Sequence, residues 1–281
     1  MLKLRIITTI IFVPIVIASL FLLSPINLAI IDLIICILAA WEWGQIVGLK
    51  NNLHRILGAI FCGVVLVTIL LSIYVFNLNM HIIISLLGIA VIWWIIAFFL
   101  VLFYPRSATW WKKSRILKII FGAVTIVPFF SSIIVLRHYG YEINNHQGSW
   151  WLCYIIILVW SVDSGAYIFG RLFGKYKLSP QVSLEKTWEG LIGGLTTAFI
   201  VSLMFDLYAL LPISSFTLLL CSIIVSLASI LGDLTESMFK REAGLKDSSH
   251  LIPGHGGILD RIDSLTAAVP IFVCLIMLIF Y

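Results

Sequence analysis

Charge is what this 281-residue sequence has least of: 11% of its residues are Asp, Glu, Lys or Arg, against 62% hydrophobic side chains. With a mean hydropathy of +1.13, there is too little polar surface to cover a water-soluble globule, so the chain is an integral membrane protein. Cysteine is sparse as well. The five residues Cys36, Cys62, Cys153, Cys221 and Cys274 all sit in apolar runs without a CxxC pair, and they read as small core residues. No repeat with a period of about twenty to fifty residues is visible, nor a low-complexity linker. No polar stretch is long enough to fold as a soluble domain, which leaves one membrane domain over 1–281.

What is present in quantity is apolar run. Reading for stretches of roughly 17–25 residues, enough to cross about 30 Å of hydrocarbon as helix, predicts an all-α polytopic protein with about nine transmembrane helices. They are Ile6–Leu23, Ile26–Val47, Ile56–Phe76, Ile82–Phe103, Ile119–Leu136, Trp150–Phe169, Leu191–Leu211, Phe216–Leu231 and Leu265–Phe280. The first lacks a small-residue cleavage region and runs through Pro25 into the next span, so it is read as retained rather than as a signal peptide. With the N-terminus cytoplasmic, every Lys and Arg except Arg137 falls on the inner side, as the positive-inside rule requires. The expected setting is the cell inner (plasma) membrane, multi-pass, with the active site facing the cytoplasm. No basic stripe stands clear of the membrane, so nucleic acid is not an expected partner.

The two halves differ. Residues 1–118 have short connections and read mainly as scaffold, with Trp110, Trp111, Lys112 and Lys113 forming an aromatic and basic interfacial belt. From 150 to 281, acids enter the spans and two long polar cytoplasmic segments appear, so chemistry is expected there.

A carboxylate near the bilayer centre costs about 2.5–3.5 kcal/mol on insertion scales, and each such acid asks for a reason. Asp32, Glu42 and Asp206 lie near span ends, can reach an interface by tilting or snorkelling, and are read as structural. Asp163, in "WSVDSGAYIFGR", lies about 12 Å deep at 1.5 Å per residue. It suits either function or a polar helix contact, with Gly165 and Gly170 permitting close approach. Asp233 and Glu236 in "LGDLTES" share a helical face with Ser237, and Asp260 and Asp263 in "LDRIDS" repeat the spacing. Either these acids neutralise Lys240, Arg241, Lys246 and Arg261, or a cation lies between the two faces. All-oxygen ligation would suit Mg²⁺ rather than zinc.

His250 and His255 have no cysteine or H-E-x-x-H partner, so zinc is not supported. Pro253-Gly254 reads as a turn. Gly256-Gly257 precedes a helix start, where exposed amides could cradle phosphate oxygens. The segment "KLSPQVSLEKTWEGLIGG" offers a cation, a hydroxyl, an aromatic face and flexible backbone, a set fit for a nucleotide; Trp188 reads equally as an interfacial anchor. Cations and Mg²⁺-type carboxylates at a water–lipid boundary suit phosphoryl or nucleotidyl transfer between a soluble triphosphate and a lipid.

Ser237, Lys240-Arg241, Lys246-Asp247, Pro253, His255-Gly256-Gly257 and Asp260-Arg261-Ile262-Asp263 together resemble the C-terminal signature of the phosphatidate cytidylyltransferase (CDP-diacylglycerol synthase) family. "VDSGAYIFGR", "EKTWEG" and "LGDLTES" resemble further family blocks in the expected order. Where the family often reads S-P-x-K-T-W, this chain has Ser183-Leu184-Glu185-Lys186. The resemblance implies CTP and phosphatidic acid as substrates, CDP-diacylglycerol and pyrophosphate as products, Mg²⁺ with room for a second cation, membrane lipids as surroundings, and a homodimer as a compatible assembly. It implies Asp233 and Asp260 as principal metal ligands, with Asp263 and Glu236 beside them. It places Lys240, Arg241 and Arg261 with Asp233, Asp260 and Asp263 in the catalytic set. Asp163, Lys186, Thr187, Ser237, Lys246, Asp247, His255, Gly256 and Gly257 would contact substrate.

Three rivals remain. An ion-coupled transporter or channel would line a path with Asp163, Asp233 and Asp260, but the polar groups gather on one face and no inverted half appears. A CDP-alcohol phosphatidyltransferase would carry D-G-x2-A-R-x8-G-x3-D-x3-D, which is absent. A membrane partner that keeps the motif without activity is the third.

Overall fold

The computed structural model describes residues 2–75, 80–208, 210–252 and 256–280. In chain order the helices are α1 (Leu2–Leu22), α2 (Pro25–Val47), α3 (Asn52–Val75), α4 (Met80–Leu102), α5 (Ala108–Trp111), α6 (Arg115–His138) and α7 (Gln147–Phe173). Strands β1 (Lys177–Ser179) and β2 (Ser183–Thr187) follow, then α8 (Trp188–Leu207), α9 (Ser215–Glu242) and α10 (Leu259–Phe280). Among the described residues, eight helices are long and apolar enough to cross a membrane, and Ile10–Leu22 of α1 adds a shorter apolar stretch. The chain is an all-α polytopic membrane protein.

The helix starts fall where a hydroxyl residue interrupts the apolar runs. Ser24, Ser114, Thr187 and Ser214 each accept a hydrogen bond from the backbone N–H three residues on, satisfying amides that no helical carbonyl reaches. Pro25 follows Ser24 at the first helical position, where its missing N–H costs nothing. The outward faces of α3 and α4 stay apolar and exposed, as at Phe61 and Ile92, which is the surface lipid would cover.

α7 and α8 pack through small residues. A Cβ at Gly165 would overlap the Thr197 side chain and approach the Gly193 carbonyl, and one at Gly194 would press on Val162. Gly193 and Gly194, expected to give the nucleotide segment a flexible backbone, are instead buried inside α8, where the lack of side chains lets α7 come close. Gly165→Val should therefore cost about 1–3 kcal/mol through overpacking. Unfolding of the variant in detergent checks this, and wild-type stability would mean that the two helices do not touch there.

α9 carries the apolar run Phe216–Leu231 and continues past it to Glu242, as the shared helical face of Asp233, Glu236 and Ser237 requires. At 28 residues and 1.5 Å per residue it is about 42 Å long, longer than the hydrocarbon is thick, so its last turns reach past the membrane. The segment before α8 carries a small antiparallel hairpin, with Lys177 opposite Thr187 and Ser179 opposite Ser183. Trp110 is exposed as a belt residue would be, but Trp111 is buried. Its ring packs 4.7 Å from Phe239 of α9, and Phe239 also meets Trp43 of α2 at 5.4 Å and Phe121 of α6 at 5.6 Å. This aromatic knot ties the N-terminal helices to the charged end of α9.

Just beyond α4, Tyr104 donates to Glu242 Oε1 at 3.0 Å. Burial, reinforced by that acceptor, pushes its phenol up to about 12, so the donor persists across any working pH.

Candidate active site

Acids from three helices meet at one end of the bundle. Asp233 and Glu236 lie on α9, Asp263 one turn into α10, and Asp163 on α7. Asp263 has Asp233, Glu236 and Asp163 as electrostatic neighbours, and Asp163 has Asp233 and Lys186. Ser264 links two of these helices: its N–H reaches Asp263 Oδ1 at 2.8 Å, and its hydroxyl lies 3.5 Å from Asp163 Oδ1. α9 can come this close to α10 because Gly232 faces the Asp263 carbonyl and Ser264 Cα, where a Cβ would not fit. Asp163 is exposed and Asp233 and Asp263 are half-buried, so the recess is open to a ligand.

Lysines answer the acids individually. Lys186, carried by β2, ion-pairs with Asp233 Oδ2 at 2.7 Å and lies 3.5 Å from the Ile230 carbonyl. Asp233 Oδ1 accepts from Ser237 at 3.2 Å. Lys240, buried, bridges Asp260 Oδ1 at 2.7 Å and Glu236 Oε1 at 3.1 Å. The second contact is an ion pair out of hydrogen-bond alignment, which leaves the buried Glu236 carboxylate without a hydrogen-bond donor. Arg241 donates to the carbonyls of Val182 and Leu245, fastening the hairpin to the end of α9.

Asp260 is occupied on both oxygens. Oδ2 accepts from Ser248 N and Gly257 N at 2.9 and 2.8 Å, with Ser248 Oγ 3.0 Å away, and Oδ1 accepts from Lys240. Gly256, at φ +86°, passes over this carboxylate so closely that a Cβ would sit 2.7 Å from Oδ2, which restricts the position to glycine on both counts. The amides expected to cradle phosphate at the start of α10 are thus taken by the protein's own acids. Gly257 N–H goes to Asp260, and the N–H groups of Ile258 and Leu259 go to Glu42 at 2.9 and 2.7 Å.

Glu42 was read as a structural acid at the inner end of its span. It is fully buried and also accepts from the hydroxyls of Ser248 and Ser249 at 2.8 and 2.6 Å. The sequence assigns Glu42 a structural role only and does not single out Ser248 or Ser249. The signals were a lone Glu in an otherwise uncharged span and the paired serines of "KDSSH".

Among the other expected site residues, Thr187 is buried and caps α8 through Gly190 N at 3.1 Å. Lys246, Asp247 and Arg261 are exposed, and Arg261 acts electrostatically on Asp163. His255 and the Pro253-Gly254 turn lie outside the described residues. Among the described residues no group of three or more Asp, Glu, His or Cys converges tightly enough to hold a metal ion by itself. That still fits Mg²⁺, which commonly takes one or two carboxylates and completes its shell with water and substrate phosphates. Asp233 and Asp263 supply that number, with oxygen donors only.

The fold and the recess define an integral membrane protein that gathers carboxylates and lysines at one end of its helices, the equipment of an enzyme acting on phosphates at the bilayer edge. Residues 3–279 match the Cytidylyltransferase family. The chain is similar to the phosphatidate cytidylyltransferase of Haemophilus influenzae, 44% identical with 97% of each chain covered. It is 38% identical to that of Pseudomonas aeruginosa, covering 98% of this chain and 97% of the other. With that of Bacillus subtilis it shares 42% identity over 56% of this chain and 58% of the other. The protein belongs to the cytidylyltransferase family and is a nucleotidyltransferase, as the signature motifs implied.

Proposed function

We propose that the protein makes CDP-diacylglycerol and pyrophosphate from CTP and phosphatidic acid, in the inner membrane and with the recess on the cytoplasmic side. The observation that carries this reading is the meeting of acids from α7, α9 and α10 with Lys186 in one open recess. The family and the names of the relatives support it.

A phosphate oxygen of phosphatidic acid attacks the α-phosphorus of CTP; the new P–O bond forms as the bond from that phosphorus to the bridging oxygen of the β-phosphate breaks. Pyrophosphate leaves with the electron pair. The second pKa of a phosphate monoester is about 6, so the nucleophile is already largely dianionic near neutrality and needs no general base. Bound Mg²⁺ would neutralise phosphate oxygens as negative charge moves onto pyrophosphate.

Asp233 and Asp263 would hold that ion. The second principal ligand shifts from Asp260 to Asp263 in this proposal because Asp260 already accepts from Lys240, Ser248 and Gly257. Lys186 would exchange part of its pairing with Asp233 for a substrate phosphate, and the exposed Lys246 and Arg261 would meet the arriving triphosphate. Asp163, Ser237, Glu236 and Lys240 set the charge and orientation of those groups.

The test is Mg²⁺-dependent transfer of labelled CMP from CTP to phosphatidic acid by purified protein. Wild type should incorporate label, and Asp233→Asn should lose about 100-fold or more, equivalent to about 2.7 kcal/mol. Absence of incorporation by folded wild type would overturn the reading.

A further inference from the structure

We infer that Glu42 is a positioning residue for this site. From α2, in the half of the chain expected to be scaffold, it clasps the strap between α9 and α10 and thereby fixes Asp260 and Lys240.

The geometry leaves little else for it to do. Its carboxylate is fully buried, yet no Lys or Arg is paired with it among the ion pairs of the described residues. Its four partners are two serine hydroxyls and the two backbone amides that open α10. Backbone amides at a helix start carry the positive end of the dipole, so this acid is held by oriented donors, with the Arg55 guanidinium acting on it only at longer range and not as an ion pair. Each oxygen takes one hydroxyl and one amide, Oε1 from Ser249 and Ile258, Oε2 from Ser248 and Leu259.

The consequence reaches the recess through Ser248. That hydroxyl lies within hydrogen-bond distance of both Glu42 and Asp260, and the Ser248 amide donates to Asp260 as well. Asp260 in turn holds Lys240, which sits against Glu236. Gly257 is pressed between the two acids so tightly that a Cβ there would overlap Ser248 Oγ and both Glu42 oxygens. Removing the charge of Glu42 therefore releases the strap and the α10 start together, and the Lys240 bridge loses its fixed anchor.

This inference rests on the nucleotidyl-transfer reading for its catalytic consequence but not for its structural one, and the two are measured separately. In the full chain in detergent, Glu42→Gln should speed amide hydrogen exchange at 248–252 and 256–259 about tenfold or more, that factor corresponding to about 1.4 kcal/mol of lost local protection. Exchange in α2 and α7 should remain as in wild type. In the CMP-transfer assay kcat should fall about 10–100-fold, as for partners that orient ligand-holding side chains, with KM for CTP little changed. Glu42→Asp, which keeps the charge, should recover part of both losses. Ser249→Ala removes one donor without burying a mismatched amide and carries the same exchange test if Glu42→Gln does not accumulate folded. Unchanged exchange at 248–252 and 256–259 in the folded variants, or faster exchange with unaltered kcat, overturns the proposal. A wild type that transfers no CMP would sink the assigned reaction, while the exchange arm still decides the clasp.

Discussion

Asp263→Asn should reduce CMP transfer about 1000-fold or more, a loss of about 4 kcal/mol of transition-state stabilisation, while the protein remains folded and at least as stable as wild type. The two halves of that expectation have the same cause. Asp263 has three like-charged neighbours, Asp233, Glu236 and Asp163, against the opposing Lys240, and like charges this close repel. An asparagine removes one of them, so the unliganded protein gains or stays level. The same loss withdraws a negative ligand from the cation that the reaction is proposed to need. Thermal unfolding in detergent, run beside the transfer assay, separates the outcomes. Activity and stability falling together would reduce Asp263 to a packing role. Asp260→Asn should differ, losing activity and strap order at once, because its oxygens hold Ser248, Gly257 and Lys240.

Lys240→Met should have the largest effect on stability, about 3–5 kcal/mol, the range for breaking a buried pair by removing one partner. Lys240 is buried between Glu236 and Asp260, and without it two carboxylates face each other in a site with little water. A second change, Glu236→Gln in the Lys240→Met background, should restore part of the loss, since it removes the acid that has no other donor. The cycle of single and double variants measures the coupling directly. Additive effects would mean that the two side chains do not share the bridge. Transfer activity is expected to be low in both Lys240 variants.

Much of this is legible in the sequence. Apolar run length located the spans, and the i, i+3 spacing put Asp233 with Glu236 and Asp260 with Asp263 on common faces. What the spacing could not convey was which acid of each pair turns toward the recess. That depends on the crossing of α9 and α10 at Gly232, a tertiary contact, and it sends Asp263 toward Asp233 while Asp260 turns to the strap. The glycine pair before α10 was recognised as a source of free amides, but a sequence does not say which acceptor fills them. The Gly257 amide goes to Asp260, three residues on, and the next two amides go to an acid more than two hundred residues earlier, whose place at a span end suggested only snorkelling. The β1–β2 hairpin escaped notice because three- and five-residue strands are too short for alternation to register. Trp111 looked like an interfacial anchor because composition does not distinguish a ring at the membrane edge from one turned inward against Phe239.

The separation between Glu42 and the serines it holds has a bearing on how the protein is made. Ser248 follows it by 206 residues, and a ribosome needs roughly 10 to 40 s to cover that distance at about 5–20 residues per second. For that interval the nascent chain carries an acid at the membrane boundary with none of its eventual donors yet synthesised. The insertion machinery, headgroups or water must shelter it until the last helix emerges, so completion of the site is among the final acts of biogenesis.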